Sequence, residues 1–203
     1  MGIVNRWWIA VASVIMQLAL GGFYSWSVFR IPLSKQFGWT ISQVAVIFTI
    51  NTRGLGLGSF LAGLLLNRKG PRIAVWIGGI LWGSGVFLSS LSAHKLWWLY
   101  LSYGVIGGNG LGFCYIVPLG VLVKWFPERR GLVAGLAVGG VGAGSLVVAP
   151  VATRLIQSVG VLPTFAYLGI AYFLVIFIVG SFMRNPPVDW KPQGWVPTAT
   201  QIA

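Results

Sequence analysis

The chain has 203 residues, 57% of them hydrophobic and only 8% charged, and its formal net charge is +12. Soluble domains carry about 25% charged residues, so a soluble globular fold is excluded. The excess of cations does not build a nucleic-acid-binding face, because the cations stand in short gaps between long apolar runs, where they read as markers of membrane topology.

The first apolar run, 7–29, is too long for the apolar core of a secretory leader and lacks a small-residue cleavage site, so it reads as a retained helix. Five more runs follow, at 41–66, 73–91, 96–123, 132–156 and 164–183. Each is near the ~20 residues a membrane-crossing helix needs. The segment RNPPVDWKPQGWVPTATQIA then turns polar and Pro-rich and reads as a linker. The expected division is a six-helix transmembrane domain over 1–183 and a linker from 184 to 203. Cys114, the single cysteine, allows no intrachain disulfide.

With the N-terminus inside, Arg6, Arg68, Lys69, Arg72, Lys124, Arg129, Arg130, Arg184 and Lys191 fall on the cytoplasmic side. Arg30, Lys35, Lys95 and Arg154 fall outside. Nine against four predicts that both ends are cytoplasmic, and the expected location is the plasma (inner) membrane, as a multi-pass protein. Trp7, Trp8, Trp39, Trp97, Trp98 and Trp125 fall near predicted helix ends and read as interface anchors.

Glycines recur every four residues at Gly54 and Gly58, at Gly104, Gly108 and Gly112, and at Gly131, Gly135 and Gly139. Small residues at this spacing let helix backbones approach closely in lipid, and tight packing is the expected role of each. None of these clusters completes a dinucleotide fingerprint. GLGLGS at 54–59 returns as GVGAGS at 140–145, and GGFY on the first span resembles GFCY on the fourth. Three-helix units repeated in opposite orientation are a transporter signature. Pro118 and Pro150 are expected kinks.

Arg53 lies near the middle of the second span, flanked by Asn51 and Thr52. An unpaired arginine there costs about 2.5–3.5 kcal/mol on insertion scales, so it should face a cavity or a partner. The acids of the whole chain, Glu128 and Asp189, lie outside the six spans. Arg53 can therefore meet a substrate anion, an acid on another polypeptide segment, or backbone carbonyls and water. The spans also lack histidine. His94 reads as a plain loop residue, which favours anion exchange over proton coupling within this chain. Two acids, one histidine and one cysteine supply no catalytic set and no metal site, so no enzyme activity and no cofactor are expected.

GLLLNRKGPR at 63–72 resembles the loop 2–3 signature of the major facilitator superfamily. Gly63, Arg68, Gly70 and Arg72 match, and Asn67 stands at the position of an Asp. Together with NRWW, YSWSVF and KWFPERRGLVAGLAVGGVGAG, this resembles the oxalate/formate antiporter family, related to the monocarboxylate transporters. The resemblance implies an all-α integral membrane protein. Its six transmembrane helices would form one half of a twelve-helix fold, built from two inverted three-helix repeats. It further implies a secondary transporter of small organic anions, mono- or dicarboxylates, working by alternating access and antiport or exchange. The partners implied are the lipid bilayer, a small carboxylate anion and a C-terminal six-helix half or second chain, with no nucleic acid.

The alternative expectation is a truncated or split-gene membrane subunit without transport of its own. The substrate-binding candidates are Tyr24, Arg53 and Tyr115, with Asn51 and Thr52. Each phenol can donate to a carboxylate or satisfy a neighbouring helix. Phe23 and Val141 replace a polar amide and an aromatic of the oxalate pattern, which points to a more apolar monocarboxylate. In loop 2–3 the family's Asp acts as a conformational latch, and Asn67 keeps its shape without its charge. Trp125, Pro127, Glu128, Arg129, Arg130 and Gly131 form the loop 4–5 motif.

Overall fold

A computed structural model describes residues 5–93, 95–187 and 190. His94, Asp189, Lys191 and most of the 184–203 linker lie outside the described residues. All regular structure among the described residues is helical, and six spans are long and apolar enough to cross a membrane.

The first span is two helices, α1 (Arg6–Ala19) and α2 (Trp26–Phe37), joined by a tight turn at Leu20–Gly22 and an irregular stretch over 23–25. Gly21 and Gly22 stand at the break, where the chain presses against its neighbours. A methyl at Gly21 would enter the backbone of Gly144, and one at Gly22 would strike the Tyr172 hydroxyl. Ser25 repairs the break by donating its hydroxyl to the Gly21 carbonyl at 3.1 Å. Helix α2 runs eight residues past the predicted end of this span, through Pro32, and stops at Gly38 in the left-handed conformation.

Helix α3 (Ile41–Lys69) starts with a reciprocal cap. Thr40 accepts from the Gln43 amide, and the Gln43 side chain accepts from the Thr40 amide. Helix α4 (Pro71–Ser89) follows after a single residue, Gly70 at φ +81°, with Pro71 at its first position. The fourth span comprises α5 (Leu96–Leu99), a π-helical stretch Tyr100–Gly107, and α6 (Gly108–Trp125). Helix α7 (Arg130–Val159) and helix α8 (Val161–Gly180) are again joined by one glycine, Gly160 at φ +91°. Within 63–72 the chain turns at Gly70 alone, and Gly63 lies inside α3, two turns before that joint. Helices α6 and α7 continue through Pro118 and Pro150.

The internal repeat is visible as packing. On α3, Gly58 presses on Asn109, and Gly112 of α6 meets the backbone of Gly58 and Ser59. On α7, Gly144 presses on Leu18, and Gly21 meets the backbone of Gly144 and Ser145. The two equivalent sequence pairs thus make the same crossing twice, once between second and fourth spans and once between first and fifth. Two one-glycine turns, after the second and fifth spans, repeat the relation. The third and sixth spans, α4 and α8, pack on each other where Gly169 abuts the Phe87 backbone and Gly83 abuts Phe173.

The first and fourth spans are the inner ones, with 56% and 61% of their apolar windows buried, against 28% for both the second and fifth. An aromatic cluster of Trp26, Phe29, Tyr103 and Phe165, with Trp82 against Tyr103, fills the centre. Helices α4 and α8 expose Ile77, Ile80, Ile170, Phe173 and Phe177, an apolar surface suited to lipid.

The glycine expectation is half right. Gly54, Gly58, Gly108 and Gly112 are at close crossings, but Gly131, Gly135 and Gly139 have nothing within 4 Å of a built methyl. They line an open trough on α7 beside Val14 and Leu18. Trp125 is also not an interface anchor. It is buried, and its Nε1 donates to the Arg184 carbonyl at 2.7 Å.

Candidate functional site

One face of the bundle, made by the first-span break, α2 and α3, carries Tyr24, Arg30, Thr49 and Arg53. Arg53 is the thirteenth residue of the 29-residue α3, about 18 Å along its axis from the start. It is exposed, and among the described residues it has no hydrogen-bond or ion-pair partner. Thr52 is exposed beside it, its hydroxyl turned back to the Phe48 carbonyl at 2.9 Å.

Asn51 belongs to a different surface. It is fully buried, donates from Nδ2 to the Tyr103 carbonyl at 2.7 Å and sits against Gly108. Its amide clamps the second span to the π-helical stretch of the fourth, and Asn51 does not line the cavity that holds Tyr24. Residues two apart on a helix point to opposite sides, which is why Asn51 and Arg53 separate.

Tyr24 lies on the irregular stretch between α1 and α2. The break turns it outward, 55% exposed, with its ring edge-on to Phe23, which in turn stacks on Phe48 of α3. Broken helices at mid-span are tolerated where they line a cavity, and a cavity of about 280 Å³ opens here. Tyr24, Ser27 and Arg30 line it from the first span, and Phe48 and Thr49 from α3. Arg53 stands one helical turn beyond Thr49 on the same stripe of α3.

Tyr115 is half-buried on α6, and its carbonyl accepts from the buried Gln17 side chain at 3.4 Å. It does not line the Tyr24 cavity. The sequence reading missed Arg30, which was expected in a loop. The signal that could have found it is the stop pattern KQFG, with a cation in the last turn and glycine after it, which carries the helix past Phe29.

The loop motifs gather at the opposite end. Arg72 donates to the Ser181 carbonyl and lies over the Trp76 ring, 5.8 Å from its centre. Asn67 and Arg68 are exposed, and Asn67 makes no hydrogen bond among the described residues, so Arg72 holds the end of α8 instead of the latch residue. Glu128 pairs with Arg6 at 2.5 Å, and the Arg6 guanidinium covers the Phe126 ring at 4.8 Å. Pro127 is buried in the short turn Pro127–Arg129, while Arg129, Arg130 and Gly131 are exposed. Trp190 packs edge-on against Trp125. Among the described residues no group of histidine, cysteine and acidic side chains could hold a metal ion.

What the open face can do chemically is bind an anion. It presents a guanidinium near mid-membrane, a second guanidinium in a cavity, and phenol and threonine hydroxyls, with no carboxylate among the described residues nearby.

A family model for the Major Facilitator Superfamily matches residues 6–202. The uncharacterized MFS-type transporter YhjX of Escherichia coli (strain K12) is 38% identical over 183 residues, which is 90% of this chain and 45% of that protein. The oxalate:formate antiporter of Oxalobacter formigenes is 28% identical over 184 residues, covering 90% of this chain and 43% of that one. Monocarboxylate transporter 13 of Bos taurus is 37% identical over 145 residues, covering 70% and 34%. The chain spans less than half the length of these curated relatives, all of which are transporters by name. Matched over nearly its whole length and folded as six spans with a mirrored three-helix repeat, the chain belongs to the major facilitator superfamily.

Proposed function

We propose that this chain is the N-terminal half of a secondary carrier for small carboxylate anions, working by alternating access together with a second six-helix half. The observation that carries the reading is Arg53. It is a guanidinium halfway along a membrane-crossing helix, exposed on a face that no other helix of this chain covers, and without a counter-charge among the described residues. A carboxylate matches a guanidinium in bidentate geometry. Tyr24 and Thr52 stand on the same face as Arg53, and Tyr115 is a further candidate from α6. The names of two relatives, an oxalate:formate antiporter and a monocarboxylate transporter, support the carboxylate class. Phe23 and Val141 favour a monocarboxylate over oxalate.

Exchange is favoured over proton coupling through this chain because its spans hold no acid or histidine. The distribution of Lys and Arg supports cytoplasmic termini in the inner membrane. The segment from 184 onward is read as the start of the linker to the second half.

The test is counterflow of labelled lactate, formate and oxalate in proteoliposomes that hold the chain with a matching C-terminal half. Exchange should require both halves, and Arg53→Gln should lower it at least about tenfold, the cost of one lost charged hydrogen bond. Arg53→Lys should retain part of it. Undiminished exchange in Arg53→Gln would refute the site. No exchange from any pairing of halves would favour a subunit without transport of its own.

A further inference from the structure

The cavity between α2 and α3 gathers one guanidinium and three hydroxyls, with no carboxylate among the described residues that line it. Arg30 is half-buried, and its Nε is buried with no hydrogen-bond partner among the described residues. The hydroxyls of Tyr24, Ser27 and Thr49 line the same space and also make no hydrogen bond among the described residues. No acid among the described residues stands near them. Glu128, the acid among the described residues, is already paired with Arg6 at the far end of the bundle. Phe48 and Trp26 supply an apolar wall. A partly buried guanidinium with no counter-charge is costly, and a bound anion would offset the cost.

Position gives the cavity a use separate from Arg53. Arg30 lies about two helical turns from the 38–40 connector, and Arg53 lies deeper, about 18 Å along α3 from the same end. An anion arriving from that end meets Arg30 first. Thr49 lines the cavity beside Arg30 and stands one turn before Arg53 on the same stripe of α3.

We infer that this cavity is an anion-capture site, where a small carboxylate docks on Arg30 and the Tyr24, Ser27 and Thr49 hydroxyls before it passes to Arg53. The carboxylate class rests on the carrier reading above, whereas the capture of an anion does not.

The test uses the purified 203-residue chain in detergent, with Ala45→Cys as reporter on the cavity wall. Native Cys114 is fully buried and serves as the internal check that each variant is folded. Anionic and cationic methanethiosulfonate reagents are compared at fixed ionic strength. The anionic reagent should react about tenfold faster, as expected where one sign of charge is focused in a cleft. Arg30→Gln should abolish the preference, Arg30→Lys should keep most of it, and Arg53→Gln should leave most of it. Lactate or formate should protect the reporter better than chloride, and Tyr24→Phe should weaken that protection several-fold.

If the anionic preference survives Arg30→Gln, the inference is overturned. Protection that depends on Arg53 alone would overturn it too, and equal protection by chloride would overturn the carboxylate class. The labelling requires no transport, so a failure of counterflow leaves the capture result standing and the two readings separable. If Arg30→Gln exposes Cys114, Tyr24→Phe and Arg30→Lys carry the test.

Discussion

Gly58 and Gly144 stand at equivalent crossings of the two repeats, so the same substitution should cost the same in both. A methyl at Gly58 would enter the Asn109 carbonyl oxygen, with that residue's Cα 2.9 Å away. At Gly144 it would enter the Leu18 carbonyl oxygen, with that Cα also 2.9 Å away. Ordinary contact begins at 3.4 Å, and the two carbonyl oxygens lie closer still than these Cα atoms, so each helix pair must part by roughly an ångström. Both walls are backbone, and no side-chain rotation relieves the clash. Overpacking of this kind reaches about 3 kcal/mol, and the better helix propensity of alanine returns about 1 kcal/mol.

The expected net loss is about 2 kcal/mol at each site, roughly 30-fold in the folding constant. Gly56 and Gly142, two residues earlier on the same helices, have nothing within 4 Å. Alanine there should be neutral or stabilise by up to about 1 kcal/mol. Cys114, the single thiol and fully buried, gives the readout through its reaction with a fluorogenic maleimide as denaturant rises. If Gly58→Ala is costly and Gly144→Ala is silent, the two crossings are not equivalent. If Gly56→Ala costs as much as Gly58→Ala, close packing is not the cause.

Gly70→Ala and Gly160→Ala should each lose about 1–3 kcal/mol, because φ of +81° and +91° with extended ψ is a region that side chains avoid. The space around Gly70 is open, so the same maleimide readout isolates a backbone effect there. A double-mutant cycle of Arg6→Gln and Glu128→Gln should give a coupling of no more than about 1 kcal/mol, since both side chains keep partial contact with solvent. That coupling should shrink when salt is raised.

Six spans, their order and the mirrored glycine pairs could be read from apolar length and spacing alone, because lipid forces both. Span ends could not. Apolar counting stopped the first span at Phe29, but α2 continues to Phe37, since Lys35 is exposed and reaches toward polar surroundings while the backbone stays hydrogen-bonded. That error hid Arg30 from the site. Periodicity placed Arg53 at mid-helix but did not say that Asn51, two residues away, would be consumed by the Tyr103 carbonyl. Only the packing of the π-helical stretch against α3 decides that. Gly131, Gly135 and Gly139 share the spacing of the crossing glycines, yet a methyl built on any of them would meet no neighbour within 4 Å among the described residues. Spacing reports that a close approach is possible and does not identify the neighbour.

The one-residue joints at Gly70 and Gly160 bear on mechanics. Consecutive Cα atoms are 3.8 Å apart, so a joint of one residue lets its two helices pivot but leaves almost no length for them to slide. Helices α3 with α4, and α7 with α8, therefore behave as two angled levers, each pinned at its elbow. Length to spare lies elsewhere, in the 38–40 connector and in the unwound stretch between α1 and α2. Any rocking of this bundle would draw on those places, and the stretch that carries Tyr24 would be among the first to change shape.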